Sequence, residues 1–136
     1  MKNELLQAYT ETHYVVSGSV PFVLRVGEVS EELLDTQAKA GVECSAFITA
    51  WNPFSEQRSE SFNETAHQSL ITEIKKRSLS FLPGEGRHPS NKWPPEKSVL
   101  VLGLSLEAAK TLGRRFEQNA VVWSGPDGKP VLVTLV

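Results

Sequence analysis

The sequence predicts a single α+β domain built on a mixed, mostly antiparallel sheet of about six or seven strands, with about three helices mainly on one face. Two observations lead to this class. Helix-type and strand-type segments alternate in the middle of the chain, whereas paired β-favouring segments that predict hairpins stand at both ends. The chain has 136 residues, 40% of them hydrophobic and 22% charged, which is typical of one globular domain spanning residues 1–136.

The N-terminal half begins with a short predicted helix over 3–9 and a hairpin of strands 12–16 and 21–26 around Ser17-Gly18-Ser19. A second helix is predicted over 31–40. Ser30 is its expected N-cap, and Gly41 is placed to end it.

The middle of the chain predicts a strand, a loop and a helix in succession. Residues 45–51 form an apolar run that Asn52-Pro53 terminates. Ser61 and Glu64 fit a capping box, which opens a helix over 62–77. We expect the apolar face of that helix to contain residues spaced four apart, namely Phe62, Ala66, Leu70 and Ile74.

The C-terminal half contains the longest irregular segment. A strand is predicted at about 79–82, and the prolines and glycines of 83–97 then predict a long loop with no regular element. A buried strand over 99–104, a helix over 106–116 capped by Ser105, and a closing hairpin of strands 120–124 and 131–135 complete the domain.

The composition excludes several classes of function. The net charge of −2 and the lack of a basic run argue against duplex nucleic acid as a partner. No apolar stretch is long enough to span a membrane, and the first residues do not resemble a secretory signal. With a single cysteine, Cys44, we expect a cytoplasmic protein without an internal disulfide. The three histidines and Cys44 have no metal-ligand spacing, so no metal site is predicted and no cofactor is indicated.

The order of several motifs resembles the bacterial family known as domain of unknown function 3293. The resemblance rests on segments spread over most of the chain: Leu24-Arg25-Val26-Gly27-Glu28, 46–53, Leu82-Pro83-Gly84-Glu85-Gly86, Trp93-Pro94-Pro95-Glu96 and 112–122. It implies a small bacterial domain without an assigned activity. Glu117 occupies a position where the resemblance implies glycine, so a left-handed backbone there would carry a steric cost.

Polar residues next to the predicted strands are the candidate ligand-binding side chains. If strand 45–51 ran parallel to a neighbour, Asn52 would lie near the start of the following helix, where ligands of α/β sheets bind. The candidates are Asn52, Asn63, Arg87, Arg114, Gln118 and Asn119. Each also has an ordinary explanation: Asn52 closes a turn, Arg114 stabilises a helix C-terminus, and Gln118 and Asn119 satisfy a buried turn.

The loop 83–97 contains possible acid–base residues, namely Glu85, His88 and Glu96, although a solvated surface loop with ordinary charges is the simpler explanation. No complete catalytic signature accompanies them, so no catalytic residue is assigned. Two hypotheses follow. The domain binds a small anionic or nucleotide-like ligand, with weak hydrolytic chemistry as an extension, or it is a non-catalytic protein-interaction or regulatory module that uses Trp93 and the 83–97 loop to hold a protein partner. Whether it is an enzyme stays open.

Overall fold

The architecture is a seven-stranded sheet with helices on both faces, as described by a computed structural model of residues 1–136. The strands are β1 (His13–Val16), β2 (Phe22–Leu24), β3 (Ser45–Ile48), β4 (Phe81–Arg87), β5 (Glu96–Leu102), β6 (Ala120–Ser124) and β7 (Val131–Thr134). The helices are α1 (Asn3–Glu11), α2 (Glu31–Lys39), α3 (Glu60–Lys76) and α4 (Leu106–Arg115), with a short 3₁₀ turn at Pro53–Ser55. None of the helices has the length and apolarity needed to cross a membrane.

The sheet has the order β2-β1-β4-β5-β3-β6-β7, and it curls. All six strand pairs are antiparallel. The α+β class and the single mostly antiparallel sheet are therefore confirmed, with four helices instead of three. The conditional expectation that strand 45–51 has a parallel neighbour is wrong, because β5 and β6 both run antiparallel to β3.

The alternation of side chains along the strands produces two hydrophobic cores. On one face, α3 and α4 contribute Leu70 and Leu112, which pack with sheet residues such as Ile48 and Val101. On the other face, α2 contributes Leu33, and the sheet contributes Tyr14, Val16, Phe47, Leu100 and Val122. We call these the α3–α4 face and the α2 face.

Local sequence accounts for most helix boundaries. Ser30 and Ser105 accept hydrogen bonds from Leu33 N and Ala108 N, so both predicted N-caps are confirmed. Gly41 follows α2 with φ 71°, a left-handed conformation that glycine adopts without steric cost.

The start and the buried side of α3 differ from the prediction. The N-cap is Ser59, which accepts from Phe62 N at 3.1 Å, so the Ser61–Glu64 capping box is wrong. Phe62 is 49% exposed, whereas Asn63 and His67 are buried. The buried side of α3 is formed by residues 63, 67, 70 and 74, a spacing that fits the 3.6-residue period of a helix. The predicted spacing of 62, 66, 70 and 74 fits that period no better, so the periodicity alone does not distinguish the two sides.

The predicted irregular loop 83–97 is wrong at both ends, because β4 continues to Arg87 and β5 begins at Glu96, whereas residues 88–95 form no helix or strand. Pro83 fits inside β4 because its carbonyl accepts from Ser17 N, just beyond the end of β1. In an antiparallel sheet, the N–H and C=O of one residue point to the same neighbouring strand. The nitrogen of Pro83, which has no N–H, therefore faces the end of β1, and the hydrogen bonds between β4 and β5 remain complete.

Candidate functional site

A row of three paired residues crosses the α2 face of the sheet near one end. Tyr14 on β1 pairs with Gly86 on β4, which pairs with Glu96 on β5. Directly paired residues point to the same face of a sheet. A Cβ added to Gly86 would have only Thr12 Cγ2 within contact range, at 3.6 Å. β4 therefore places no side chain between Tyr14 and Glu96.

Asn52 connects this row to α3. Its side-chain Nδ2 donates to Glu96 Oε2 at 3.0 Å, and its Oδ1 accepts from Asn63 Nδ2 at 2.8 Å and from Arg58 N at 3.0 Å. Its backbone N–H donates to Asn63 Oδ1 at 2.8 Å. Asn63 is only 2% exposed. The two amides hold the turn after β3 against the first turn of α3, as buried polar groups require.

Ser55 forms a second set of hydrogen bonds next to the first. Its Oγ lies 3.0 Å from Tyr9 OH and accepts from Asn119 Nδ2 at 2.8 Å. Its backbone N–H donates to Asn52 O at 2.9 Å, which joins the two sets. The connected polar residues, called here the Asn52–Glu96 cluster, are Tyr9, Asn52, Ser55, Asn63, Glu96 and Asn119.

The backbone around the cluster is strained. Asn52, Phe54 and Ser55 all have positive φ, at 47°, 54° and 60°, and so does Glu117, at 55°. Phe54 N donates to Glu117 O at 2.6 Å, so the two strained turns are bonded to each other. Such conformations cost about 1–3 kcal/mol each and concentrate at functional sites. The left-handed backbone considered for Glu117 is present.

Burial controls the electrostatics of the cluster. It raises the pKa of Glu96 above the usual range for a carboxyl, and the hydrogen bond from Asn52 opposes that shift only in part. Burial also raises the pKa of Tyr9 and of Tyr14, and the nearby Glu96 charge adds to both shifts. Glu96 therefore retains its proton to a higher pH than an exposed glutamate, a property expected of a carboxyl that transfers protons.

Four of the predicted site residues meet in this cluster: Asn52, Asn63, Glu96 and Asn119. Gln118 lies beside it, since its Nε2 donates to the carbonyls of Trp51 at 3.3 Å and Phe116 at 3.1 Å.

The two predicted arginines lie elsewhere. Arg87 forms an ion pair with Glu85 at 2.7 Å, and Glu85 pairs across the sheet with Lys97, on the face opposite to Glu96. Arg114 is exposed near the end of α4 and has no hydrogen-bond or ion-pair partner. Neither guanidinium bonds to a residue of the cluster, so the cluster contains no cationic side chain.

His88 belongs to a separate group outside the cluster. Its Nε2 lies 3.1 Å from Glu11 Oε2, and its Nδ1 lies 2.7 Å from Ser90 Oγ. The ring of Trp93 packs edge-on against it with centroids 4.5 Å apart, and Trp93 is 52% exposed. Glu85, His88 and Glu96 were grouped because they are near in sequence, but the fold distributes them over three environments.

No pattern in the sequence indicated Tyr9 as a site residue, because it lies within an ordinary short helix, α1. Only the packing of α1 over the sheet end brings its hydroxyl to Ser55. The sequence also gives no sign that His67 is buried: it is 7% exposed, with Nδ1 buried and unpartnered. No group of three or more histidine, cysteine or acidic side chains is arranged to hold a metal.

Two surface depressions run along the outer side of α3, and neither is lined by a residue of the Asn52–Glu96 cluster. The first is lined by no hydrophobic residue. Ligand pockets are usually lined mainly by apolar side chains, so this depression is a solvated helix surface.

The fold and the cluster together define a class: a small α+β domain with a curled antiparallel sheet and a partly buried polar network at one end. The family model described as "Protein of unknown function (DUF3293)" matches residues 48–121, more than half of the chain, and the protein belongs to this family. The matched segment includes Asn52, Ser55, Asn63, Glu96 and Asn119. No curated protein and no solved structure matches the chain.

Proposed function

We propose that the domain binds a small polar ligand at the Asn52–Glu96 cluster, and that Glu96 exchanges a proton with it. The observation that carries the proposal is the environment of Glu96, a partly buried carboxyl with one oxygen bonded to Asn52 and no cation beside it. A carboxyl that loses solvation without a cationic partner destabilises a fold, and groups with pKa values shifted in this way cluster at functional sites.

Amides and a carboxyl can recognise the base of a nucleotide-like ligand by hydrogen bonds to its edge, whereas a phosphate would find no cation in the cluster. Hydrolytic chemistry would use Glu96 alone among the acid–base candidates. Arg87 and Arg114 do not contribute, so the reason for expecting an anion is weaker than the sequence suggested.

Movement of α1 would widen the access of a ligand to the cluster. No residue of this helix is buried, and it has no N-terminal side-chain cap. Its side-chain contacts with the rest of the domain include the hydrogen bond between Tyr9 and Ser55, the bond that Tyr14 OH donates to the Tyr9 carbonyl, and the bond between Glu11 and His88. Segments with so few buried contacts open at low free energy, which makes α1 the natural route of access.

A thermal-shift and NMR screen of small polar compounds tests the proposal. A ligand that binds the native state raises its melting temperature. We expect ligands to stabilise the wild type and Glu85→Gln equally and to have little effect on Glu96→Gln. Glu85→Gln is the matched control because that carboxyl lies on the neighbouring strand and the opposite face. Ligands that affect all three proteins alike would contradict a site at Glu96.

The alternative function is a protein-interaction module, and the exposure of Trp93 favours it. Its ring is held against His88 in a segment that also contains three prolines, Pro89, Pro94 and Pro95. Rigid exposed aromatic side chains are frequent anchors of interfaces. A defined partner should lose affinity for Trp93→Ala and keep it for Phe62→Ala, which removes a similarly exposed aromatic ring. Equal binding to both variants would contradict this reading.

A further inference from the structure

Two acceptor oxygens of the cluster have no partner in the protein. Each amide of the cluster donates a hydrogen bond within it: Asn52 Nδ2 to Glu96, Asn63 Nδ2 to Asn52, and Asn119 Nδ2 to Ser55. Glu96 Oε1 and Asn119 Oδ1, in contrast, accept no hydrogen bond from the protein. The N–H or O–H donors of a ligand would satisfy these two oxygens.

The charge around the cluster favours the same kind of ligand. Four cations of the neighbouring segments are paired elsewhere: Arg58 with Glu56, Lys97 with Glu64, Arg87 with Glu85 and Arg115 with Glu73. Arg25, after β2, forms no ion pair, and its charge acts on Glu11 of α1. The titratable groups that face Glu96 are Tyr9 on α1 and Tyr14 on β1, and neither carries positive charge in any state. A cationic ligand would supply the missing counter-charge, whereas an anion would be repelled.

The row that crosses the sheet is the proposed place for such a group. Neighbouring strands are about 4.8 Å apart, so Tyr14 and Glu96 lie about two strand spacings apart, and at Gly86 β4 places no side chain in the gap between them. Gly86 does not have positive φ, and an added methyl group there makes only ordinary contact. Glycine is therefore not required by the backbone at this position, and its effect is to leave room on the face that carries Glu96.

We propose that the ligand of this site is a small nitrogen base in its protonated form, of the primary ammonium or amidinium class, bound by the Glu96 carboxylate over Gly86. The inference rests on the proposed function, since it names the chemistry of the ligand for the same cluster. Charged hydrogen bonds to a carboxylate in a desolvated site are stronger than neutral ones, and they give the site its preference for cations over anions.

Titrations of the ¹⁵N-labelled protein followed by NMR test the inference. The probes are propylammonium and benzamidinium as cations, inorganic phosphate and acetate as anions, and acetamide as a neutral amide. We expect the cations to shift the resonances of Asn52, Asn119 and Glu96 with saturation. The affinity should fall about tenfold or more in Glu96→Gln, since the carboxylate charge is lost. It should also fall in Gly86→Ala, which fills the gap, and stay unchanged in Glu85→Gln.

The possible outcomes separate the two proposals. Saturable shifts at these residues with the anions or acetamide, but not with the cations, would overturn the ligand class and keep the site. Cation binding that survives in both Glu96→Gln and Gly86→Ala would overturn the placement of the ligand. If no probe shifts these resonances and the screen of polar compounds also finds no ligand, both the inference and the proposed function fail.

Discussion

At the scale of single residues, the strained turns around the cluster have the clearest physical consequence. Glu117 adopts φ 55°, where an L-residue with a Cβ is strained and glycine is not. Its backbone carbonyl also anchors the turn that contains Phe54.

We expect Glu117→Gly to raise the free energy of unfolding by about 0.5–1 kcal/mol, because relief of strain exceeds the added entropy of the unfolded chain. Urea denaturation measures the change. Glu117→Ala is the control: it removes the charge and keeps the Cβ, so it should give no such gain. Equal stabilisation by both variants would show that strain is not the cause.

Glu96 predicts a pH dependence of stability. Its pKa is raised on folding, so its contribution to stability is present at low pH and is lost as pH rises through the folded pKa. Glu96→Gln should therefore be more stable than the wild type at pH 8, and the difference should shrink on acidification. Thermal denaturation across this range measures it. A difference that grows as the pH falls would contradict the assignment.

At the scale of helices and strands, the true start of α3 can be tested by two neighbouring serines. Ser59 caps the helix, whereas Ser61 is exposed and makes no side-chain hydrogen bond. We expect Ser59→Ala to lower the free energy of unfolding by about 1 kcal/mol and Ser61→Ala to leave it within about 0.5 kcal/mol. Chemical denaturation compares the two. The reverse order would restore the capping box that the sequence suggested.

The elements were predictable wherever local chemistry decides them. Ser30 and Ser105 are caps followed by amphipathic segments, and the apolar run 99–102 has few alternatives to a buried strand. Residues 83–87 were not predictable in the same way. Pro83 and two glycines oppose a strand locally, and the pairing with β1 and β5 outweighs that preference.

The candidate site was predictable only in part, for a related reason. Asn52 and Asn119 stood out because amides flank apolar strands, and such amides need partners. Tyr9 and the separation of Arg87 from Asn52 depend on contacts distant in sequence, which no local pattern encodes. Glu85 and Glu96 also lie on opposite faces of the sheet, so their carboxyls do not meet although the two residues are close in the sequence.

At the scale of the whole molecule, the two edges of the sheet are connected through the segment before α2. Gly27 N donates to Pro130 O and Ser30 N donates to Gly128 O, each at 2.9 Å. The turn after β2 is therefore bonded to the turn before β7, although β2 and β7 are the two edge strands.

The turn before β7 also packs closely against α2, so we expect a substitution at Gly128 to destabilise the fold strongly. Gly128 has φ 67°, and an added Cβ would lie 2.5 Å from Leu34 Cγ of α2. We expect Gly128→Ala to lower the free energy of unfolding by about 2–4 kcal/mol, through backbone strain and overpacking. Gly18→Ala is the control, since nothing lies within 4 Å of its added Cβ. Calorimetry compares the two variants. A small loss of stability in Gly128→Ala would contradict the close packing of this turn against α2.

The bonds between residues 27–30 and 128–130 also bear on the kinetics of folding. They join segments about a hundred positions apart, so closing them requires the loss of much chain entropy before any contact energy is gained. Early in refolding, the β1–β2 hairpin and the β6–β7 hairpin are each at most marginally stable on their own. The edges of the sheet should acquire protection from amide exchange late and together, after the central strands have paired.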